Sequence, residues 1–335
     1  MQERILTGDR IIGKLHLGHY VGSLKNRVEL QKNYECFVLL ADVQALTTHF
    51  DHPAIVRDNL RHVAMDYLAA GIDPNRSTLF IQSMIPEIAE LTVYFSMFVT
   101  VNSLRHNPTI KTEAAERGYK QLNYGFLGYP VSQAADIAIC RATLIPVGED
   151  QVPHIEQTRK IIRRFHDLYR PVFPEPQALI GEIPRLTGLD GGRKMGKSSG
   201  NAISLDSSPQ QVKELIQKAV TDPERIHKND PGHPDRCPIY SYHQAFNAPQ
   251  ADDIYKNCTQ GSIGCFECKT KLTAKINELL EPMNERREAI SKYPKQIDEI
   301  LISGTERARA LARETMQEVR EAMGIAYFSH SPAEN

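Results

Sequence analysis

The stretch Arg4-Ile5-Leu6-Thr7-Gly8-Asp9-Arg10-Ile11-Ile12-Gly13-Lys14-Leu15-His16-Leu17-Gly18-His19 decides how the chain is organised. Ile5-Leu6 reads as a strand, a glycine-punctuated loop ends it, and Leu17 to Leu30 reads as a helix. His16-Leu17-Gly18-His19 is thereby delivered to the first turn of that helix. Backbone N–H groups and the helix dipole favour phosphate at such a place. The two imidazoles can donate hydrogen bonds to phosphate oxygens, and Gly18 leaves room for an adenine ring against the backbone. Simple helix capping by the same residues is the plainer alternative. Gly8 to Lys14 reads G-D-R-I-I-G-K and nearly matches the P-loop, but that motif needs Ser or Thr next, and Leu15 cannot hold magnesium.

Outward from this point, short apolar runs alternate with longer amphipathic ones. Phe37-Val38-Leu39-Leu40 is a continuous apolar run, the pattern of a strand covered on both faces. A helix follows Pro53, with Ile55, Val56, Leu60, Val63, Ala64, Tyr67 and Leu68 at helical spacing, and Gly71 and Pro74 end it. Leu79-Phe80-Ile81 and Leu144 to Val147 are further strands. The β-α-β-α order predicts an α/β fold with a Rossmann-type parallel sheet. Beyond about residue 207, Gln210 to Val220, Lys271 to Leu280 and Glu306 to Met323 look helical without intervening strands. The expected division is therefore residues 1–206, Rossmann-type with a helical connecting segment, and 207–335, all-α. A loop-rich stretch, Thr221 to Phe266, lies between the helices of the second part.

The 335 residues are 41% hydrophobic and 24% charged, ordinary for a globular protein. No run approaches the roughly 18 apolar residues that a membrane span needs, and Met1-Gln2-Glu3-Arg4 does not begin a secretory signal. A cytoplasmic protein is expected, with neither membrane nor DNA as partner. The net charge of -1 means that any RNA contact must use local patches. Candidates are Arg159, Lys160, Arg163, Arg164 and Arg170 in one helical stretch, and Arg307, Arg309, Arg313 and Arg320 near the C-terminus; each run also fits a merely solvated face.

A second glycine-rich segment lies far downstream. Leu189-Asp190-Gly191-Gly192-Arg193-Lys194-Met195-Gly196-Lys197-Ser198-Ser199-Gly200 carries two lysines three apart. Such a loop can close over a triphosphate and neutralise charge on departing pyrophosphate. His16-Leu17-Gly18-His19 and Lys194-Met195-Gly196-Lys197-Ser198 together resemble the HIGH and KMSKS motifs of class I aminoacyl-tRNA synthetases. Gly196 is a departure that removes one hydroxyl. The resemblance implies that His16, His19, Lys194, Lys197 and Ser198 promote attack of an amino-acid carboxylate on the α-phosphorus of magnesium-bound ATP, followed by transfer to tRNA. It also implies an anticodon-binding role for the helical part and a homodimer.

Two further segments narrow the resemblance. Tyr129-Pro130-Val131-Ser132-Gln133-Ala134-Ala135-Asp136-Ile137 and Ile145-Pro146-Val147-Gly148-Glu149-Asp150-Gln151-x-x-His154-Ile155-Glu156 are similar to bacterial tryptophanyl-tRNA synthetases, colinearly from residue 5 to about 220. Taken alone, Asp136 in its apolar helical segment reads most simply as facing solvent. The resemblance instead implies that it accepts the indole N–H of L-tryptophan, a sole donor that suits an acceptor-only carboxylate. It further implies ATP contacts from Arg10, Ile11, Ile12, Gly18, Lys111, Gly148, Glu149, Asp150, Arg185, Leu186, Met195 and Gly196. Leu6, Tyr129, Gln133, Val147 and Gln151 would wall the tryptophan pocket, with Gln44 near its mouth. The tRNA partner is tRNA(Trp). A tyrosyl-tRNA synthetase is the close alternative, and a synthetase-like regulator without activity is a second.

Of six cysteines, Cys36 and Cys140 fall in apolar elements and read as packed thiols. Cys237, Cys258, Cys265 and Cys268 cluster with the spacing C-x20-C-x6-C-x2-C, which points to metal ligation. Zinc ordinarily prefers two C-x-x-C knuckles, and only Cys265/Cys268 forms one. A [4Fe–4S] cluster tolerates less regular spacing and is the favoured expectation, with Zn2+ and free thiols as alternatives. Some tryptophanyl-tRNA synthetases carry such a cluster on C-x22-C-x6-C-x2-C. This chain resembles that subgroup in two of the three spacings.

Overall fold

The structure is a computed structural model, which describes residues 3–148, 151–180, 186–191, 195 and 200–327. In chain order, β1 spans Arg4–Arg10, α1 Leu17–His19, α2 Lys25–Leu30, β2 Glu35–Ala41, α3 Asp42–His49, α4 Pro53–Ala70 and β3 Ser77–Ile81. Next come α5 Pro86–Ser96, α6 Val101–His106, α7 Pro108–Glu116, α8 Tyr124–Ile139, β4 Leu144–Val147, α9 Val152–Leu168 and β5 Gln177–Ile180. The rest is helical: α10 Pro209–Lys218, α11 Pro238–Phe246, α12 Ala248–Thr259, α13 Cys265–Ser291 and α14 Pro294–Ala322. A π-helical turn, Tyr20–Leu24, joins α1 to α2 into the one helix predicted from Leu17 to Leu30.

The described strands form one parallel sheet in the order β3-β2-β1-β4-β5. This is the Rossmann-type arrangement that the sequence predicts, with helices on both faces. Successive residues of β2 point to opposite faces. Phe37, Leu39 and Ala41 enter one apolar core with α5, α8 and α9, while Val38 and Leu40 enter another with α4 and α13. A strand buried on both sides has no room for polar residues, hence the continuous apolar run. Gly71, with φ of 112°, ends α4 by donating its N–H back to Leu68 O. Strand order reverses between β1 and β4, and the carboxyl ends of those two strands open the crevice where ligands of such sheets bind.

Two features differ from the expectation. The loop-rich stretch Thr221 to Phe266 contains α11 and α12. Their short apolar faces, Ile239 and Tyr242 in one and Ala251 and Ile254 in the other, are buried and so define helices that the neighbouring prolines and glycines disguise. β5, half-exposed at the sheet edge, carries only the short run Ala178-Leu179-Ile180 directly after Pro171, Pro174 and Pro176, which read as a loop.

The helical C-terminal region shares its core with the sheet. Ile297 and Leu301 of α14 join one core, and Ala308, Ala312, Met316 and Val319 join the other, so α14 crosses the edge at β3. At the crossing, a Cβ on Gly304 would lie 1.9 Å from Leu79 O, and the Thr305 hydroxyl accepts the Ile81 N–H at 3.2 Å. The helix thus covers the open edge of β3. Gly304→Ala gains about 1 kcal/mol of helix propensity but forces backbone apart. A net loss of about 1–3 kcal/mol is expected, measured as a lower urea midpoint with an unchanged slope.

Candidate active site

β1 ends under the crevice, and the chain turns into His16, the N-cap of α1. His16 Nδ1 accepts the Gly18 N–H at 3.1 Å, and the His16 N–H donates to His19 Nδ1 at 3.2 Å. The pair forms a capping box made of two imidazoles, with ring centroids 3.8 Å apart. A ring that accepts at Nδ1 in its neutral form carries its proton on Nε2. Capping therefore selects the tautomer with its N–H on Nε2, the atom the cap does not use, so the plain role and the phosphate-binding role are compatible.

The two distant motifs meet. The Leu17 N–H donates to Ile203 O at 2.9 Å and the Leu205 N–H to Leu15 O at 3.0 Å, with a bridge between His16 and Ser204. Met195 is buried, and a Cβ on Gly18 would come within 3.2 Å of its sulfur and 3.0 Å of the His16 ring. A side chain at residue 18 would press on both. Lys194, Gly196, Lys197, Ser198, Glu149, Asp150 and Arg185 lie outside the described residues.

A buried polar network supports the motif from below. Arg27, 4% exposed, donates to Asp9 at 2.6 Å and to the Ser23 hydroxyl at 2.9 Å, and Tyr67 OH donates to Asp9 at 2.7 Å. Burial opposes the Asp9 charge, but Arg27, Tyr67 and the nearby His19 outweigh it and hold its carboxyl down at about 2.

On the other side of the crevice, the Arg10 guanidinium donates to Glu113 at 2.5 Å and lies 4.7 Å from the centre of the Tyr129 ring. Burial raises the Glu113 carboxyl, and Arg10 brings it below the ordinary range. Tyr129 OH lies 3.0 Å from Nε2 of the fully buried His154. Ile11 is buried and Ile12 exposed; Leu186 is buried, while Lys111 stands exposed on α7. Leu6 and Tyr129 share one core with the partly buried Val147; Gln133 and Gln151 are half-buried and Gly148 is exposed.

Asp136 does not face solvent. It is 1% exposed in α8, and its carboxylate accepts Gln44 Nε2 at 2.6 Å and Gln82 Nε2 at 2.8 and 2.9 Å. Burial raises its pKa to about 7, with the two amides pulling the other way and Asp42 adding to the rise. Gln44 is therefore a direct partner of Asp136. Gln82 escaped the sequence reading, although a polar residue directly after the apolar Leu79-Phe80-Ile81 marks the carboxyl end of a parallel strand, where ligands bind.

Cys237, Cys258, Cys265 and Cys268 line one small cavity with Arg225. Arg225 Nη1 lies 3.7 and 3.9 Å from the Cys258 and Cys265 sulfurs, and its Nε is buried without a partner. Among the described residues, no three His, Cys, Asp or Glu side chains are grouped so as to hold a metal ion. The basic runs are largely paired: Arg159 and Arg163 with Glu175, Arg309 and Arg313 with Glu87, and Arg320 with Glu90.

A parallel sheet whose crevice joins a histidine-capped helix to a distant glycine-rich loop is the arrangement of class I tRNA synthetases. Residues 2–281 match the family described as tRNA synthetases class I (W and Y), and the chain belongs to that family. It is 46% identical over 328 residues to the tryptophan–tRNA ligase of Thermotoga maritima, covering 97% of this chain and 100% of that protein. It is 44% identical over 337 residues to the tryptophan–tRNA ligase of Clostridium longisporum, covering 98% and 99%. Among solved structures, tryptophanyl-tRNA synthetase from Campylobacter jejuni with ADP and tryptophan superposes with a TM-score of 0.82 at 30% identity, covering 96% of this chain and 99% of that one.

Arg27→Met would leave Asp9 buried without its cation. A loss of about 3–5 kcal/mol of stability is expected at neutral pH. The loss should shrink in acid: a depressed carboxyl stabilises the fold above its unfolded value near 4 and gives that up as pH falls towards about 2. Urea unfolding at pH 7 and pH 3 checks both statements.

Proposed function

We propose that the chain is a tryptophan–tRNA ligase. It binds ATP as its magnesium complex, and the tryptophan carboxylate attacks the α-phosphorus. Pyrophosphate leaves, and tryptophanyl-AMP then passes its acyl group to a hydroxyl of tRNA(Trp), releasing AMP. The observation that carries this reading is Asp136, an enclosed acceptor-only carboxylate clamped by Gln44 and Gln82 at the sheet's carboxyl edge. An indole N–H can add a further donor to the two amides, and a ring without a donor gives the desolvated carboxylate nothing in return.

The chain's own groups do the rest by positioning and charge. His16 and His19 hold phosphate oxygens through Nε2–H, Gly18 and Met195 seat the nucleotide loop, and Lys194, Lys197 and Ser198 offset charge on pyrophosphate. Ile11, Ile12, Lys111, Gly148, Glu149, Asp150, Arg185, Leu186 and Gly196 complete the ATP site. Arg10 acts through Glu113 and Tyr129, to which it is bound. Leu6, Tyr129, Gln133, Val147 and Gln151 wall the tryptophan pocket. Residues 1–206 are the catalytic part, and 207–335 the tRNA-binding part. The enzyme works in the cytoplasm as a homodimer, for which Val93, Met97 and Val101, exposed in the α5–α6 segment, offer apolar side chains.

The four cysteines hold a [4Fe–4S] cluster in this reading. Cys237, Cys258, Cys265 and Cys268 share a cavity, and the partnerless buried Nε of Arg225 beside them suits an anionic, sulfide-rich group. A zinc site ordinarily uses two C-x-x-C knuckles, and only Cys265/Cys268 forms one. The cluster adds charge and cross-linking to the helical region and takes no part in the activation step. Protein purified without oxygen should be brown, absorb near 400 nm and contain iron. Colourless, iron-free protein contradicts the cluster.

ATP–pyrophosphate exchange should run with tryptophan and not with tyrosine. Exchange with tyrosine alone identifies a tyrosyl enzyme, and exchange with neither points to an inactive regulator. Asp136→Ala should cut kcat/KM for tryptophan by about a hundredfold or more. Because the ionised carboxylate is the acceptor and its pKa is raised to about 7, tryptophan KM should rise as pH falls below 7. A pH-independent KM contradicts that role.

A further inference from the structure

Asp66 belongs to α4, outside every motif that the sequence marks, yet it is 1% exposed and charged. One carboxylate oxygen accepts the Leu15 N–H at 2.7 Å, directly before His16, and the other pairs with Arg287 of α13. The adjacent Arg286 donates to Ala69 O at 2.6 Å, one turn along α4. Leu15 is therefore held at both its polar groups: its amide by Asp66 and its carbonyl by the Leu205 N–H that follows the lysine-rich loop.

A buried ion pair is a weak stability device, since removing two charges from water costs about as much as their attraction returns. What this one supplies is direction. The carboxylate fixes one amide of the histidine loop, and the guanidinium, reached from the helical C-terminal region, fixes the carboxylate. We propose that Asp66, oriented by Arg287, is a positioning residue that sets the Leu15–His19 loop for ATP. α13 is a single helix of 27 residues, about 40 Å long, with Cys265 and Cys268 at its other end, so the loop is tied to a rod that spans the helical region. This inference rests on the ligase reading and deepens it: it assigns ATP placement to residues far from the histidine and lysine motifs in sequence.

The test is tryptophan-dependent ATP–pyrophosphate exchange by the full chain, varying ATP and tryptophan separately. Arg287→Met and Asp66→Asn should each raise the ATP KM or lower kcat by about tenfold, with tryptophan KM within about twofold. Arg287→Lys should restore most of the loss. The double variant should be no worse than the more damaged single one, because both remove the same link. Arg287 is partly exposed, so its variants carry the test should Asp66→Asn fail to fold. Unchanged ATP kinetics in the Arg287 variants overturn the proposal. So do ATP and tryptophan KM rising together with a lowered melting temperature, which marks a merely structural pair. A wild-type chain that does not exchange with tryptophan sinks the ligase reading first, and this inference with it.

Discussion

The join between Leu15–Leu17 and Ile203–Leu205 is the constraint on which the site depends. Two backbone hydrogen bonds tie segments almost 190 residues apart and bring Met195 down onto Gly18. Without that join, the histidine turn is only a capped helix start and the glycine-rich segment only a basic loop. With it, the amides of a helix N-terminus, two imidazole donors and the base of the lysine-rich loop share one crevice. At residue 18 the approach is close, and a side chain there would press on the contact itself.

Three carboxylates around this crevice, Asp66 and Asp136 buried and Asp9 largely enclosed, differ in the balance between burial and their partners. Asp9 faces a full cation in Arg27, and Coulomb attraction in a low-dielectric setting overcomes desolvation, giving about 2. Asp136 has only neutral amides. Hydrogen bonds from Gln44 and Gln82 help its charge but carry none, so desolvation prevails and it rises to about 7. Asp66 has both a cation and a backbone N–H, yet burial still leaves it raised. Perturbed carboxyls gather where function requires them. Here the first braces the loop, the second is an enclosed acceptor, and the third links the loop to the helical region.

Much of this was legible in the sequence because it repeats at a fixed period or sits at a fixed place. The apolar run of β2, the amphipathic α4 and its glycine stop gave the parallel sheet, and His16 to His19 fell at the predicted helix start. What escaped depends on contacts between distant segments. Asp136 lies on a helix with apolar neighbours on nearly every side, and nothing local shows that two glutamines 54 and 92 residues away turn inward to meet it. Asp66 and Arg287 look like ordinary charges on amphipathic helices until α13 is laid against α4. Within the cysteine region, prolines and glycines hid α11 and α12.

The central property of this crevice is that it selects tryptophan for delivery to RNA. The most direct measurement is charging of tRNA(Trp) by the purified full chain with each labelled amino acid in turn. Acid-stable attachment of tryptophan, with none of tyrosine or phenylalanine, is the predicted result. Charging with tyrosine, or with no amino acid at all, contradicts it.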